Sequence, residues 1–120
     1  MTAREAIDKA DSLKPNQFQD DMKLDWLNTL DAQIHEDVLM THEPVPEEPF
    51  VPHKMDDELI AKFPYDELYV DYIRMRCDEA NEETARYNNS VTIFQAKYEA
   101  YCKHVNKTQM PVFTSKFRLW

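Results

Sequence analysis

The sequence predicts an all-α fold, a small four-helix bundle-like domain with a long Pro-rich loop and an extended C-terminal tail. Three observations predict it. The 120 residues contain no glycine at all, and tight two-residue hairpins lean on Asn-Gly or Asp-Gly, so a many-stranded sandwich or barrel is disfavoured. Apolar residues recur at helical spacing in four separate stretches. Seven prolines, with Asn and Asp clusters, supply the breaks between those stretches. The absent glycine also removes the G-x-G-x-x-G fingerprint, the Walker P-loop and the G-x-S-x-G elbow.

The first helix is announced by Thr2 and Glu5, spaced as a capping box. Ala3, Ala6, Ile7, Ala10 and Leu13 follow on one face, and Pro15 stops the helix at or before Lys14. The second helix starts near Gln19 or Asp20 and runs to about Thr41. Its apolar stripe is Met22, Trp26, Leu27, Leu30, Ile34 and Val38, with Asp20 and Asp21 placed at the positive end of the dipole.

Residues 43–57 carry Pro44, Pro46, Pro49 and Pro52. That density forbids helix and favours extended chain. Phe50 and Val51 are its only bulky apolar pair and are expected to pin it to a surface, and Glu58 to Phe63 is expected to form one helical turn.

A third helix is expected from Pro64, buried through Tyr65, Leu68, Tyr69, Tyr72, Ile73, Ala80 and Tyr87. Asn88-Asn89-Ser90 interrupts, and Asn89 or Ser90 is expected to cap a fourth helix. There Val91, Phe94, Tyr98, Tyr101 and Val105 repeat at a near-heptad spacing. The boundaries that follow are 1–111 for one helical domain and 112–120 for a tail.

The net charge is −9, which disfavours direct binding to a phosphate backbone. It is unevenly placed: fifteen acids and five bases in residues 1–60, eight acids and nine bases in 61–120. An acidic body with a short basic end suits a polar subunit whose two ends attract in neighbouring copies. No apolar run long enough to cross a membrane and no secretory h-region is present in the sequence, so a reducing cytoplasm and no membrane partner are expected.

The chemistry-bearing patterns return little. None of His35, His42, His53 and His104 has a histidine at i+4 or a glutamate three residues before it, which excludes H-E-x-x-H and the di-iron Glu-x-x-His. Asp78, Glu79, Glu82 and Glu83 could approach a cation but read better as a solvated helix face. Cys77 and Cys102 read as buried, unreactive thiols, without a C-x-x-C pair. The expectation is a non-enzyme with no catalytic residues, cofactor or metal. The tail Val112–Trp120 is the feature that calls for a partner: Phe113, Phe117, Leu119 and Trp120 alternate with Lys116 and Arg118. Val112, Phe113, Lys116, Phe117, Arg118, Leu119 and Trp120 are expected to dock on another protein, as an added strand or through their aromatic side chains.

Tyr87-Asn88-Asn89-Ser90, then Phe94 and Tyr98, then Asn106-x-Thr108-x-Met110-Pro111 form one pattern. With PYDELY at 64–69 and the opening TAREAIDKADSLKPNQF, it resembles a family of small proteins of tailed phages and prophages, the head–tail connectors (portal adaptors, head-completion proteins). The resemblance spans about residues 2–111. It implies an α-helical subunit in a ring of about a dozen copies under the portal, extending the channel through which DNA leaves. The implied partners are the portal protein, the next neck or tail protein (a stopper or tail terminator) and the chain itself. DNA passes through the channel without sequence-specific binding, and the place is the virion neck, after assembly in the host cytoplasm. Glu82 to Ala85 stand where members often carry glycines, which suggests continuous helix. Acids from Asp20 to Asp37, or in the 43–58 loop, are expected to face the lumen or a neighbour, and Val112–Trp120 to reach the portal or an adjacent subunit. An alternative from composition is an acidic helical interaction module, such as a DNA-mimic inhibitor or a packaging accessory protein.

Overall fold

The computed structural model describes residues 1–111. The elements are α1 (Ala3–Leu13), α2 (Asp20–Asp37), a 3-10 turn (Leu39–Thr41), β1 (His42–Glu43), α3 (Glu67–Ala80), α4 (Thr84–Thr108) and β2 (Met110–Pro111). Among the described residues the protein is thus mostly helical, with one two-stranded antiparallel ladder, in which His42 pairs with Pro111 and Glu43 with Met110, and an isolated antiparallel bridge between Thr2 and Glu58.

The capping box of α1 is formed. The Glu5 amide donates to Thr2 Oγ1 at 3.2 Å and the Thr2 amide to Glu5 Oε1 at 3.3 Å. Two further orphan donors of the first turn are met from far along the chain: Ala3 N–H donates to the Asp57 carbonyl and Arg4 N–H to that of Met55. Ala3, Ala6, Ile7 and Ala10 are buried, whereas Leu13 is exposed. It is the last helical residue, and its three-residue offset from Ala10 puts it at the edge of the stripe.

On α2, Trp26, Leu27, Leu30, Ile34 and Val38 are buried but Met22 is exposed. At 100° per residue Lys23, not Met22, is in phase with that stripe. Lys23 is buried instead, with Nζ 2.6 Å from Asp11 Oδ1. The α-helix ends at Asp37 rather than Thr41, because the last turn tightens to the 3-10 form over Leu39–Thr41.

Residues 44–66 contain no helix or strand. Glu58 to Phe63 is therefore not a helical turn; the chain is held there from outside, with Asp31 and Tyr69 side chains accepting from the Ile60 and Ala61 amides. α3 begins at Glu67 and not at Pro64, since the Lys62 carbonyl closes a separate turn with Tyr65 N–H at 2.8 Å. Every residue from Leu68 to Ile73 is buried, as expected of a helix packed on all sides, and α3 contacts α1, α2 and α4.

The break before α4 falls at Asn81–Glu83, not at Asn88-Asn89-Ser90, and the helix is not continuous through Glu82. Glu83 N–H donates to the Asp78 carbonyl and Glu82 N–H to that of Glu79. These are the two bonds of a Schellman motif, with Glu82 as its left-handed residue at φ 57°. Asn88, Asn89 and Ser90 stay helical because the residues around them bond outward or along the helix: Thr92 Oγ1 donates to the Asn88 carbonyl and Ser90 Oγ to Asp78. A left-handed non-glycine residue costs about 1–2 kcal/mol. Replacing Glu82 by glycine is therefore expected to raise stability by about 1 kcal/mol, read as a higher urea midpoint. A lower midpoint would argue against the strained cap.

Candidate functional site

The polar contacts that hold the helices and the proline-bearing segment together include three joints at buried side chains. The first centres on Asp31, which is 0% exposed. Its Oδ1 accepts from Tyr69 Oη at 2.5 Å, and its Oδ2 accepts from Ile60 N–H at 3.0 Å and lies 2.7 Å from His53 Nε2. Tyr69 Oη in turn accepts from Ala61 N–H at 2.7 Å. Asn28 grips the His53 backbone in both directions, accepting its N–H at 2.7 Å and donating to its carbonyl at 3.2 Å. Phe50 packs against the rings of His35 and His53, while Val51 is exposed. So Phe50 pins the segment and Val51 does not.

Burial raises the Asp31 carboxyl above its ordinary value, against the pull of its donors Tyr69, Ile60 and His53. Burial likewise raises the Tyr69 hydroxyl, reinforced by the Asp31 charge. An Asp–His pair can orient a general base. Among the described residues, however, no hydroxyl or thiol is hydrogen-bonded to the His53 ring, and each of these groups holds backbone of residues 53–61 or another of the set. Asp31 therefore cannot face a channel or a neighbouring copy, contrary to the expectation for acids between Asp20 and Asp37.

The second joint is at Asp78, also buried and not on a solvated face. It pairs with Lys14, which caps α1 at its C-terminal end, and accepts from Ser90 Oγ at 2.5 Å. The third ties β1 to α4: His42 Nε2 lies 2.6 Å from Asn106 Oδ1 and its Nδ1 lies 2.8 Å from the Val38 carbonyl.

The motif residues from Tyr87 to Thr108 are on α4, and Met110 and Pro111 form β2. Ser90 meets Asp78; Phe94 packs on Tyr72 at 5.1 Å between ring centres and on Tyr98 at 5.7 Å. Tyr87 is half-buried beside Asp78, Glu79, Glu82 and Glu83 in a shallow depression, and Asn88 and Asn89 are exposed. Asn106, Met110 and Pro111 fix the end of the described chain on β1. Val112, Phe113, Lys116, Phe117, Arg118, Leu119 and Trp120 lie outside the described residues.

The thiols sit in surroundings that suppress reactivity. Burial raises the pKa of Cys77, which is only partly offset by Lys23 and Lys14, and burial raises that of Cys102. Tyr98 and Tyr101 are both pushed up to about 12, first by burial. Among the described residues no group of three or more His, Cys, Asp or Glu side chains is placed to hold a metal ion, and no helix is long and apolar enough to cross a membrane. The open surfaces are clefts. One of about 470 Å³ lies between α2, α3 and α4 and includes Tyr72, Phe94 and Tyr98. Another of about 270 Å³ surrounds Tyr65, which stacks on His104 at 4.6 Å.

Sequence reasoning missed Asp31, Lys23 and the His42–Asn106 contact. Asp31 carried a signal: it falls beside Leu27 and Val38 on the helical wheel, a charge within an apolar stripe.

The fold defines a small, mostly helical domain. Comparisons with protein-family models, curated proteins and solved structures give no match to this chain.

Proposed function

We propose that this protein is a head–tail connector subunit: a non-enzymatic structural protein of the virion neck that forms a ring of about a dozen copies under the portal and extends the DNA channel toward the tail. The observation that carries the reading is the run Tyr87-Asn88-Asn89-Ser90, Phe94, Tyr98, Asn106, Thr108, Met110 and Pro111, with its resemblance to that family. In this reading residues 1–111 are a four-helix bundle-like body with the Pro-rich loop 43–57, and Val112–Trp120 is a docking tail for the portal or an adjacent copy. Support comes from two physical features. The motif side chains Ser90, Phe94 and Asn106 join α4 to the rest of the domain. Asp21, Asp25, Glu36, Asp37, Glu47 and Glu48 are exposed, and an acidic channel wall lets DNA slide where a basic one would hold it.

The test is native mass, measured for the protein alone and after mixing with purified portal rings. Co-migration with the portal at about a dozen copies is the expected result. A stable monomer or dimer that ignores the portal would sink the reading and turn attention to a 1:1 complex with a basic DNA-binding protein, the behaviour of a DNA mimic. Deleting residues 112–120 is expected to keep the helical circular dichroism signal and abolish portal association. A deletion variant that still joins the portal would remove the tail from the account.

A further inference from the structure

We infer that Phe63 of one copy seats in the aromatic cleft between α2, α3 and α4 of a second copy, with Lys62 against the acidic rim of that cleft. The contact rests on the ring reading above and names its subunit junction.

Phe63 is 86% exposed, more than any other large apolar side chain among the described residues. Its backbone is nonetheless tied down on both sides. Leu59 and Ala61 are fully buried, and the Ala61 amide is held by Tyr69. Lys62 Nζ donates to the Leu59 carbonyl at 2.7 Å, and the Lys62 carbonyl accepts from Tyr65 N–H at 2.8 Å. Tyr65 itself stacks on His104. A fixed aromatic knob loses little freedom on binding, and buried aromatic anchors of this kind dominate interface energies.

The cleft offers it aromatic walls and opposite charge. Leu30, Tyr72, Phe94 and Tyr98 line it, and its rings are tilted at 54° and 40° to one another, an array that accepts another ring at its edge. Asp37 and Glu99 stand at its rim, both exposed, and among the described residues neither forms an ion pair. Lys62 is exposed next to Phe63; its Nζ donates to the Leu59 carbonyl at 2.7 Å and lies 3.6 Å from Glu58. A cation beside an apolar knob is thereby offered to two carboxylates that form no ion pair among the described residues.

Knob and hole are different patches. Gln95 and Glu99 line the cleft from one flank of the Phe94–Tyr98–Tyr101–Val105 stripe of α4. His104 and Thr108 border the Phe63 side from the other flank. A contact between unlike patches is heterologous and propagates head to tail, closing into a ring when the rotation allows.

The experiment places the photo-crosslinker p-benzoylphenylalanine at position 63 of the full chain. The protein is irradiated free and again on portal rings, and the products are separated under denaturing conditions and mapped by mass spectrometry. Crosslinked dimers and higher multiples are expected, joined to peptides that carry residues 94–99 or 30–37. Asp37→Lys with Glu99→Lys is expected to lower their yield about tenfold through like-charge repulsion. No crosslinked multimer under either condition overturns the contact, as does attachment to residues 112–120, to the same chain, or only to the portal. Portal binding is scored on the unmodified protein in parallel. Portal binding without the Phe63 crosslink rejects this junction alone, whereas absence of portal binding rejects the connector reading.

Discussion

Replacing Asp31 by alanine is expected to cost about 3–5 kcal/mol of folding stability, near the upper end for a single substitution. The carboxylate takes hydrogen bonds from Tyr69 Oη and Ile60 N–H and lies 2.7 Å from His53 Nε2, in a fully buried position. Alanine leaves those groups without an acceptor, and each stranded donor carries its own desolvation penalty of about 1–3 kcal/mol, not fully additive. Urea unfolding at neutral pH measures the loss. Asp31→Asn is the milder companion, since its amide oxygen still accepts one bond. A loss below about 1 kcal/mol for Asp31→Ala would mean that the joint is not a main tie between α2, α3 and residues 53–61.

The same substitution has a defined pH dependence. Burial raises the Asp31 carboxyl above its usual 3.8, so the folded protein holds this proton more tightly than the unfolded chain does. The stability this contributes is complete below the unfolded-state value and is lost as pH rises through the folded-state value. The cost of Asp31→Ala is therefore expected to be larger at about pH 4 than at about pH 7. A cost that grows with pH would contradict the assignment.

The second large effect is expected at Lys14. Its ammonium pairs with Asp78, a carboxylate that is 2% exposed. Lys14→Ala leaves that charge buried with Ser90 Oγ as its remaining hydrogen-bond donor among the described side chains. Breaking one side of such a pair costs about 3–5 kcal/mol. Removing both charges with apolar residues of similar volume, Lys14→Met with Asp78→Leu, is expected to recover most of the loss. A double variant no more stable than Lys14→Ala would mean that packing at the C-terminal end of α1, not the buried charge, sets the cost. Both variants and the parent are compared by urea unfolding.

Much of the local order was legible from residues. Thr2 and Glu5 announced α1 and form the expected box. The α2 stripe from Trp26 to Val38 is buried as its period requires, but Met22, apolar and expected in that stripe, is exposed while Lys23 holds the phase. A lysine is discounted on an apolar face until a partner such as Asp11 is visible. The third break was misplaced for a similar reason. Asn88-Asn89-Ser90 has the composition of a turn, yet Ser90 finds Asp78 across a helix pair and the helix runs on. Glu82 takes the left-handed position that in most proteins would be glycine, a choice that composition does not advertise.

What the sequence by itself determined was the fold class and the existence of four helices. Those follow from periodicity, caps and proline, all acting within a few residues of one another. What only the tertiary structure decided was which charged and polar side chains go inside, and hence which are left on the surface. Asp31 is 38 positions from Tyr69 and His42 is 64 from Asn106. A buried carboxylate is tolerable only where donors converge on it. That convergence is set by the packing of α2, α3 and the chain between them, not by any local pattern. The same packing leaves Phe63 in water and opens an aromatic cleft rimmed by Asp37 and Glu99.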